Sequence, residues 1–196
     1  CVSFAVETKG GDSALDILYT GQLIRGKGVD ILLKAVQRVA EAGIAFDHLR
    51  IIGSGNAEGG LKQLAGELGL ADRVTFHGFL PHEELMPYYD AAAVVVVPSR
   101  WPEPFGMVGL EAMLRSKPVV GADAGGIPDW LEDGETGFLF QVGSDSSLAE
   151  KLGKLLQDAE LRLAMGTAGY RRVIRDFSFD RYMDRLETIL LQGRPG

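Results

Sequence analysis

The chain reads as a three-layer α/β domain, with helices on both faces of a six-stranded, mostly parallel sheet. Three observations predict it. From Asp16 onward, apolar runs of strand length alternate with segments of helical periodicity. Ala91 to Val97 is apolar without a break, the pattern of a strand covered on both faces. Glycine-rich turns directly follow predicted strands, where open parallel sheets bind their ligands.

Residues 1–15 read as a linker, because Lys9-Gly10-Gly11-Asp12-Ser13 is polar and glycine-rich and nothing periodic precedes it. Residues 16–196 are read as the domain itself. Ile17-Leu18-Tyr19 begins the first strand, which ends at Gly21. Val29, Leu32, Leu33, Val36 and Ala40 then form one apolar helical face, and Gly43 stops that helix. Leu49 to Ile52 is the second strand, closed by Gly53-Ser54-Gly55. Leu61, Leu64, Ala65 and Leu68 line the second helix, which Gly69 ends. Val74 to Phe79 is the third strand, Pro81 to Tyr89 a short helix, and Ala91 to Val97 the central strand, stopped by Pro98. A helix over Phe105 to Arg115 and a strand over Pro118 to Ala122 follow. Gly125-Gly126-Ile127-Pro128 reads as a turn and Thr136 to Phe140 as an edge strand. Leu148 to Leu156, Glu160 to Arg175 and Phe179 to Leu190 are helices, the last with Phe179, Tyr182, Met183, Leu186 and Leu190 on one side.

The composition sets limits on function. The chain has 196 residues, 46% hydrophobic and 24% charged, with a net charge of −7. That balance speaks against a broad nucleic-acid or anionic-membrane surface, so an anionic ligand needs a local positive site. The one cysteine, Cys1, has no internal partner, which fits a reducing cytoplasm. No apolar run is long enough for a transmembrane helix, and the first residues lack a signal-peptide pattern. The chain does not begin with Met and is read as a fragment.

Three segments carry chemistry. After the first strand comes Gly21-Gln22-Leu23-Ile24-Arg25-Gly26-Lys27-Gly28, with two cations and three glycines ahead of a helix. A cation in a first helical turn is unfavourable unless an anion is present, and glycines let backbone approach a phosphate. A phosphate site and a solvated glycine-rich turn are equally open readings of this segment alone. Gly53-Ser54-Gly55 permits close ligand approach, although most such turns are only turns. It does not fit the dinucleotide fingerprint, whose glycines follow the first strand.

The third segment is the strongest. It runs Pro98-Ser99-Arg100-Trp101-Pro102-Glu103-Pro104-Phe105-Gly106-Met107-Val108-Gly109-Leu110-Glu111-Ala112-Met113, behind the most apolar strand. Glu103 precedes a helix and Glu111 lies two turns into it, on the same side as Val108 and Arg115. A carboxylate among apolar neighbours is costly unless hydrogen-bonded, and sugar hydroxyls are suitable donors. The N–H groups from Phe105 to Val108 suit a diphosphate. The competing reading makes Glu103 a helix-start carboxylate and pairs Glu111 with Arg115. Each part of that is common singly, but the combination with Pro-Phe-Gly favours a site.

Together, Glu103-x7-Glu111, the Glu-Pro-Phe-Gly lead-in, the Gly-x5-Lys-Gly turn and Gly125-Gly126 resemble the retaining glycosyltransferases of the GT-B fold, group 1 or family 4 type. The resemblance covers about residues 16–190. It implies one Rossmann-like half of a GT-B fold, the C-terminal domain that holds a nucleotide-diphosphate sugar, with the N-terminal acceptor domain missing. It implies that Lys27 neutralises the donor diphosphate, Glu111 receives the ribose hydroxyls and Glu103 lies beside the transferred sugar. Phe105, Gly106, Met107 and Val108 would contact sugar and phosphates, and Leu80 the nucleobase by its backbone. Gly21, Gln22, Arg25 and Gly53 complete the expected binding set. Two departures stand out. Gln22 occupies the position where the family usually has Arg, with Arg25 three residues on as a substitute. Ser116 stands where Gly is common.

The implied reaction is hexosyl transfer with retention, needing no bound catalytic metal and no other cofactor, and the isolated domain is expected to be inactive. No side chain is an obvious covalent nucleophile. Asp123 and Asp129 read as caps, and His48, His77 and His82 as surface or backbone-adjacent groups. Arg162, Arg171, Arg172, Arg175, Arg181 and Arg185 read as a solvated face, with contact to the missing domain or a peripheral membrane surface as the sharper alternative. Competing functional readings are a nucleotide-sugar-binding module without turnover, an epimerase of UDP-N-acetylglucosamine with the same two-domain fold, and a Rossmann domain without ligand.

Overall fold

The structure, a computed structural model, describes residues 14–103 and 106–177. Thirteen elements alternate along the chain: β1 (Asp16–Thr20), α1 (Val29–Glu41), β2 (Leu49–Ile52), α2 (Glu58–Glu67), β3 (Val74–Gly78), α3 (His82–Ala91), β4 (Ala92–Val97), α4 (Met107–Leu114), β5 (Val119–Ala122), α5 (Ile127–Trp130), β6 (Gly137–Phe140), α6 (Asp145–Gln157) and α7 (Ala159–Asp176). The six strands form one sheet in the order β3-β2-β1-β4-β5-β6. All five pairings are parallel, so the expected sheet is present and is wholly rather than mostly parallel.

Burial explains the strand sequences. β4 is buried at all six positions, as its unbroken apolar run requires. β1 is buried throughout as well, including Asp16, its first residue. Its carboxylate is held by the His48 N–H at 3.1 Å and by Arg50 Nε at 2.5 Å, so the buried charge is paired. α1 buries Val29, Leu32, Leu33 and Val36 and packs against α2 and α6. α3 and α4 lie against the strands at the centre of the sheet, and α7 packs on α4. α6 and α7 start at Ser144 and Asp158, whose side chains accept from the Ser147 and Leu161 N–H groups; such caps contribute about 1 kcal/mol each.

The differences from the sequence reading are local. Arg25–Lys27 forms a 3-10 turn ahead of α1, so Lys27 precedes the helix rather than entering its first turn. Ile127–Trp130 is a four-residue helix where a turn is predicted, since Pro128 sits in its first turn, the helical position that tolerates proline. Phe79 leaves β3 and is 76% exposed. The Phe179–Leu190 helix, Arg181 and Arg185 fall outside the described residues, as do Pro104 and Phe105. Among the arginines expected to be solvated, Arg162 caps the end of α6 through the Leu155 and Leu156 carbonyls, and Arg172 pairs with Glu132. Among the described residues, no helix is long and apolar enough to cross a membrane.

Candidate functional site

The chain leaves β1 toward β2 and leaves β4 toward β5, in opposite directions along the sheet. Loops at the carboxyl ends of two such neighbouring strands part and leave a crevice between them. Two adjoining hollows open there, of about 340 and about 530 Å³. Both are bordered by Thr20, Gly21 and Val108.

The loop after β1 is laced to its neighbours. The Gly21 N–H donates to the Ile52 carbonyl at 2.9 Å, and the Leu23 N–H to the Ser54 carbonyl at 2.9 Å. The Tyr19 hydroxyl donates to the Gln22 carbonyl at 2.9 Å. Burial, with the Glu103 charge adding to it, pushes ionisation of that phenol far up, so it remains a donor. Gly28, at φ 70°, ends the 3-10 turn and starts α1. A Cβ there would stand 2.0 Å from the Pro98 carbonyl oxygen, so only glycine lets this turn seat against the end of β4. The Arg100 N–H donates to the Gly26 carbonyl at 2.9 Å, and Arg100 pairs with Asp30 at 2.6 Å. The loops after β1 and β4 are thereby interlocked.

The smaller hollow holds Lys27 and Glu103, with Nζ to Oε1 at 2.5 Å. The buried Ser99 hydroxyl donates to the same Oε1. Behind Glu103, the Gly126 N–H donates to its carbonyl at 2.8 Å. A Cβ on Gly125 would come within 2.5 Å of the Glu103 backbone N and O. The Gly125-Gly126 turn therefore holds Glu103 in place by close backbone approach. Gly106 starts α4, and Met107 and Val108 open its first turn beside the same hollow, where helical N–H groups lack intrahelical partners.

The larger hollow holds Glu111 on α4, with Gln22, Gly53, Phe79, Leu80 and His82 around it. Glu111 Oε2 accepts from the Tyr89 hydroxyl at 2.8 Å, and Oε1 lies 3.8 Å from His82 Nδ1. Tyr89 is fully buried, and its hydroxyl lies 3.1 Å from Thr20 Oγ1. Burial is the main influence on the Tyr89 phenol and pushes its ionisation well up. Arg115 turns instead to Asp90, at 3.4 Å, so the alternative Glu111–Arg115 pair does not form.

Of the expected residues, Gly21, Gln22, Lys27, Gly53, Leu80, Glu103, Gly106, Met107, Val108 and Glu111 border one hollow or both. Arg25 borders neither: it is exposed, and its carbonyl faces the Arg100 guanidinium. Phe105 lies outside the described residues. No role is expected from sequence for Tyr19, Thr20, Ser99 or Tyr89, and His82, expected as a surface or backbone-adjacent group, is exposed and stands beside Glu111. Tyr19 and Thr20 carry a positional signal, since they close the strand ahead of Gly21. Tyr89 and His82 carry none, because their partner is Glu111 on a different helix.

The profile of the family described as Glycosyl transferases group 1 matches residues 7–172. The chain is 35% identical over 159 residues to an alpha-D-kanosaminyltransferase of Streptomyces kanamyceticus, spanning 81% of this chain and 41% of that protein. It is 36% identical over 177 residues to a D-inositol 3-phosphate glycosyltransferase of Corynebacterium diphtheriae, spanning 87% of this chain and 41% of that one. It thus spans about two fifths of the length of these curated relatives. Among solved structures, a sucrose-phosphate synthase of Thermosynechococcus elongatus superposes with a TM-score of 0.81 at 33% identity, covering 93% of this chain and 47% of that one. Anabaena HepE in complex with UDP and glucose gives 0.79 at 27% identity, covering 92% and 49%. The C-terminal domain of a group 1 glycosyl transferase, LpcC of Francisella tularensis, gives 0.76 at 27% identity and covers 84% and 86%. With these likenesses extending across the elements that border both hollows, the chain belongs to the group 1 glycosyltransferase family.

Proposed function

We propose that this chain binds the nucleotide-diphosphate sugar of a retaining glycosyltransferase, with the acceptor held by a second domain of a longer protein. The observation that carries the reading is the placement of Lys27 with Glu103 in one hollow and Glu111 in the adjoining one, both at the carboxyl ends of β1 and β4. HepE, a solved relative, binds UDP and glucose, which supports a nucleotide sugar as the ligand. The match to an isolated C-terminal domain at 86% of its length supports the assignment to the donor-holding half.

In this reading the diphosphate lies over Lys27 and the first turn of α4, the ribose reaches Glu111, and the sugar lies beside Glu103. Breaking the sugar–phosphate bond moves negative charge onto the leaving diphosphate and positive charge onto the anomeric carbon. Lys27 and the α4 N–H groups are fixed in advance where the first charge grows, which lowers the barrier. Glu103 faces the second. Glu103 pairs with Lys27; a bound diphosphate would compete for the Lys27 ammonium and free a Glu103 oxygen for a sugar hydroxyl. The reading calls for no metal. Without its acceptor domain the chain would bind donor and turn nothing over.

Titration calorimetry with UDP, GDP and ADP and their nucleosides tests this. Lys27→Ala is expected to weaken the preferred nucleoside diphosphate by about 2–3 kcal/mol, as loss of a charge-assisted contact, and to leave its nucleoside nearly unchanged. Glu111→Ala is expected to weaken both by about 1–2 kcal/mol. Equal affinities across wild type and both variants would remove the assignments.

A further inference from the structure

The group that holds Glu111 in place is itself buried and lies on a different element. Tyr89 comes from the last turn of α3, is fully shielded from solvent, and reaches across to Glu111 Oε2 at 2.8 Å. Its oxygen also lies 3.1 Å from the hydroxyl of Thr20, the last residue of β1. A phenol has one proton and a carboxylate accepts only. The Tyr89 proton therefore goes to Glu111, and the Thr20 hydroxyl donates to the phenol oxygen. The direction of the whole relay is set: Thr20 to Tyr89 to Glu111. Burial keeps the phenol protonated, so the relay does not reverse near neutral pH.

The consequence is an asymmetric carboxylate. Oε2 is occupied by a fully buried donor, while Oε1 lies 3.8 Å from the exposed imidazole of His82, which borders the larger hollow together with Glu111. A free glutamate side chain would sample several rotamers and offer either oxygen. Resting on the donor-binding reading above, we infer that Tyr89, backed by Thr20, is a positioning residue that aims Glu111 Oε1 at the ligand's ribose hydroxyls and so sets preference for ribose over deoxyribose. It does not touch the ligand itself.

The test compares UDP, GDP and ADP with their 2′,3′-dideoxy counterparts by calorimetry on the full 196-residue chain. Wild type is expected to favour the preferred ribonucleotide over its dideoxy form by about tenfold or more, the worth of hydrogen bonds to a charged group. Glu111→Ala should abolish that ratio. Tyr89→Phe, which keeps the ring, is expected to cut the ratio by about threefold to tenfold while leaving the dideoxy affinity near its wild-type value. A merely structural loss would lower both affinities together. Thr20→Val, from the other end of the relay, should move the ratio in the same direction by a smaller factor and gives the answer if Tyr89→Phe fails to fold. A wild-type ratio in both variants, alongside a lost ratio in Glu111→Ala, overturns the role of Tyr89 and leaves the donor site standing. Absence of binding by wild type to every nucleotide overturns the site and this role with it.

Discussion

Ser116 has φ 55°, the one non-glycine residue with positive φ among the described residues. It follows the last turn of α4, where its N–H donates to the Met113 carbonyl at 2.9 Å. Its own carbonyl lies against α7, so close that a Cβ on Gly166 would stand 1.9 Å from it. The left-handed conformation thus serves the packing of α4 on α7. A side chain in that conformation costs roughly 1–2 kcal/mol, partly offset because serine loses less backbone freedom on folding than glycine. Ser116→Gly is therefore expected to stabilise the chain by about 0.5–1 kcal/mol. Urea unfolding checks it: the midpoint should rise at unchanged slope. A lowered midpoint would mean that the serine hydroxyl makes a contact worth more than the strain.

At the scale of elements, α3 is tied to the edge of the sheet by an aromatic contact. The His77 ring on β3 meets Tyr88 on α3 edge to face, with centroids 4.8 Å apart and Nδ1 3.3 Å from the Tyr88 hydroxyl. His77 Nε2 is buried without a protein partner. Burial first, and the Arg50 charge second, push the His77 pKa below its ordinary 6.5. The unfolded chain then takes up the proton at a higher pH than the folded one does. The contribution of neutral His77 is complete above about pH 6.5 and is lost as pH falls from there through the lowered folded-state value. Stability should decline over that window in wild type and decline less in His77→Phe, which packs on Tyr88 but does not titrate. Urea midpoints between about pH 5 and 8 would show the difference; parallel curves would exclude His77 as the source. The strands and long helices of this fold were legible in sequence because each depends on its own residues: the unbroken run of β4 and the apolar face of α1 announce their burial. Within the candidate site, Lys27, Glu103 and Glu111 were singled out only by two segments taken together, the Gly-x5-Lys-Gly turn and Glu103-x7-Glu111. The 3-10 turn at Arg25–Lys27, the short α5 and the Tyr89–Glu111 bond were not legible. The first two are held by tertiary contacts to Pro98 and Glu103 loops, and the third joins residues on separate helices, so no local spacing encodes it.

The molecule as a whole is two sets of strands joined along β1 and β4, and the hollows lie on that seam. Lys27 and Gly53 come from the β1–β3 side, and Glu103, Val108 and Glu111 from the β4–β6 side. A nucleoside diphosphate lying across both hollows would touch both sets and should stabilise them as one unit. At a hundred times its dissociation constant a ligand adds about 2.7 kcal/mol, which for a domain of this size raises the thermal midpoint by about 5–10 °C. Of the two tryptophans, Trp101 stands over Gly26 at the seam, whereas Trp130 is buried under α4, against Gly109. In Trp101→Phe, the fluorescence of Trp130 reports only the β4–β6 side, while far-UV circular dichroism reports every element. With saturating UDP, or whichever diphosphate the calorimetry selects, both signals are expected to shift upward together by that amount, and by much less in a background carrying Lys27→Ala. A rise in the dichroism midpoint with the Trp130 transition left in place would show that the two sides of the sheet unfold separately, and that the ligand engages only the β1–β3 side of the seam.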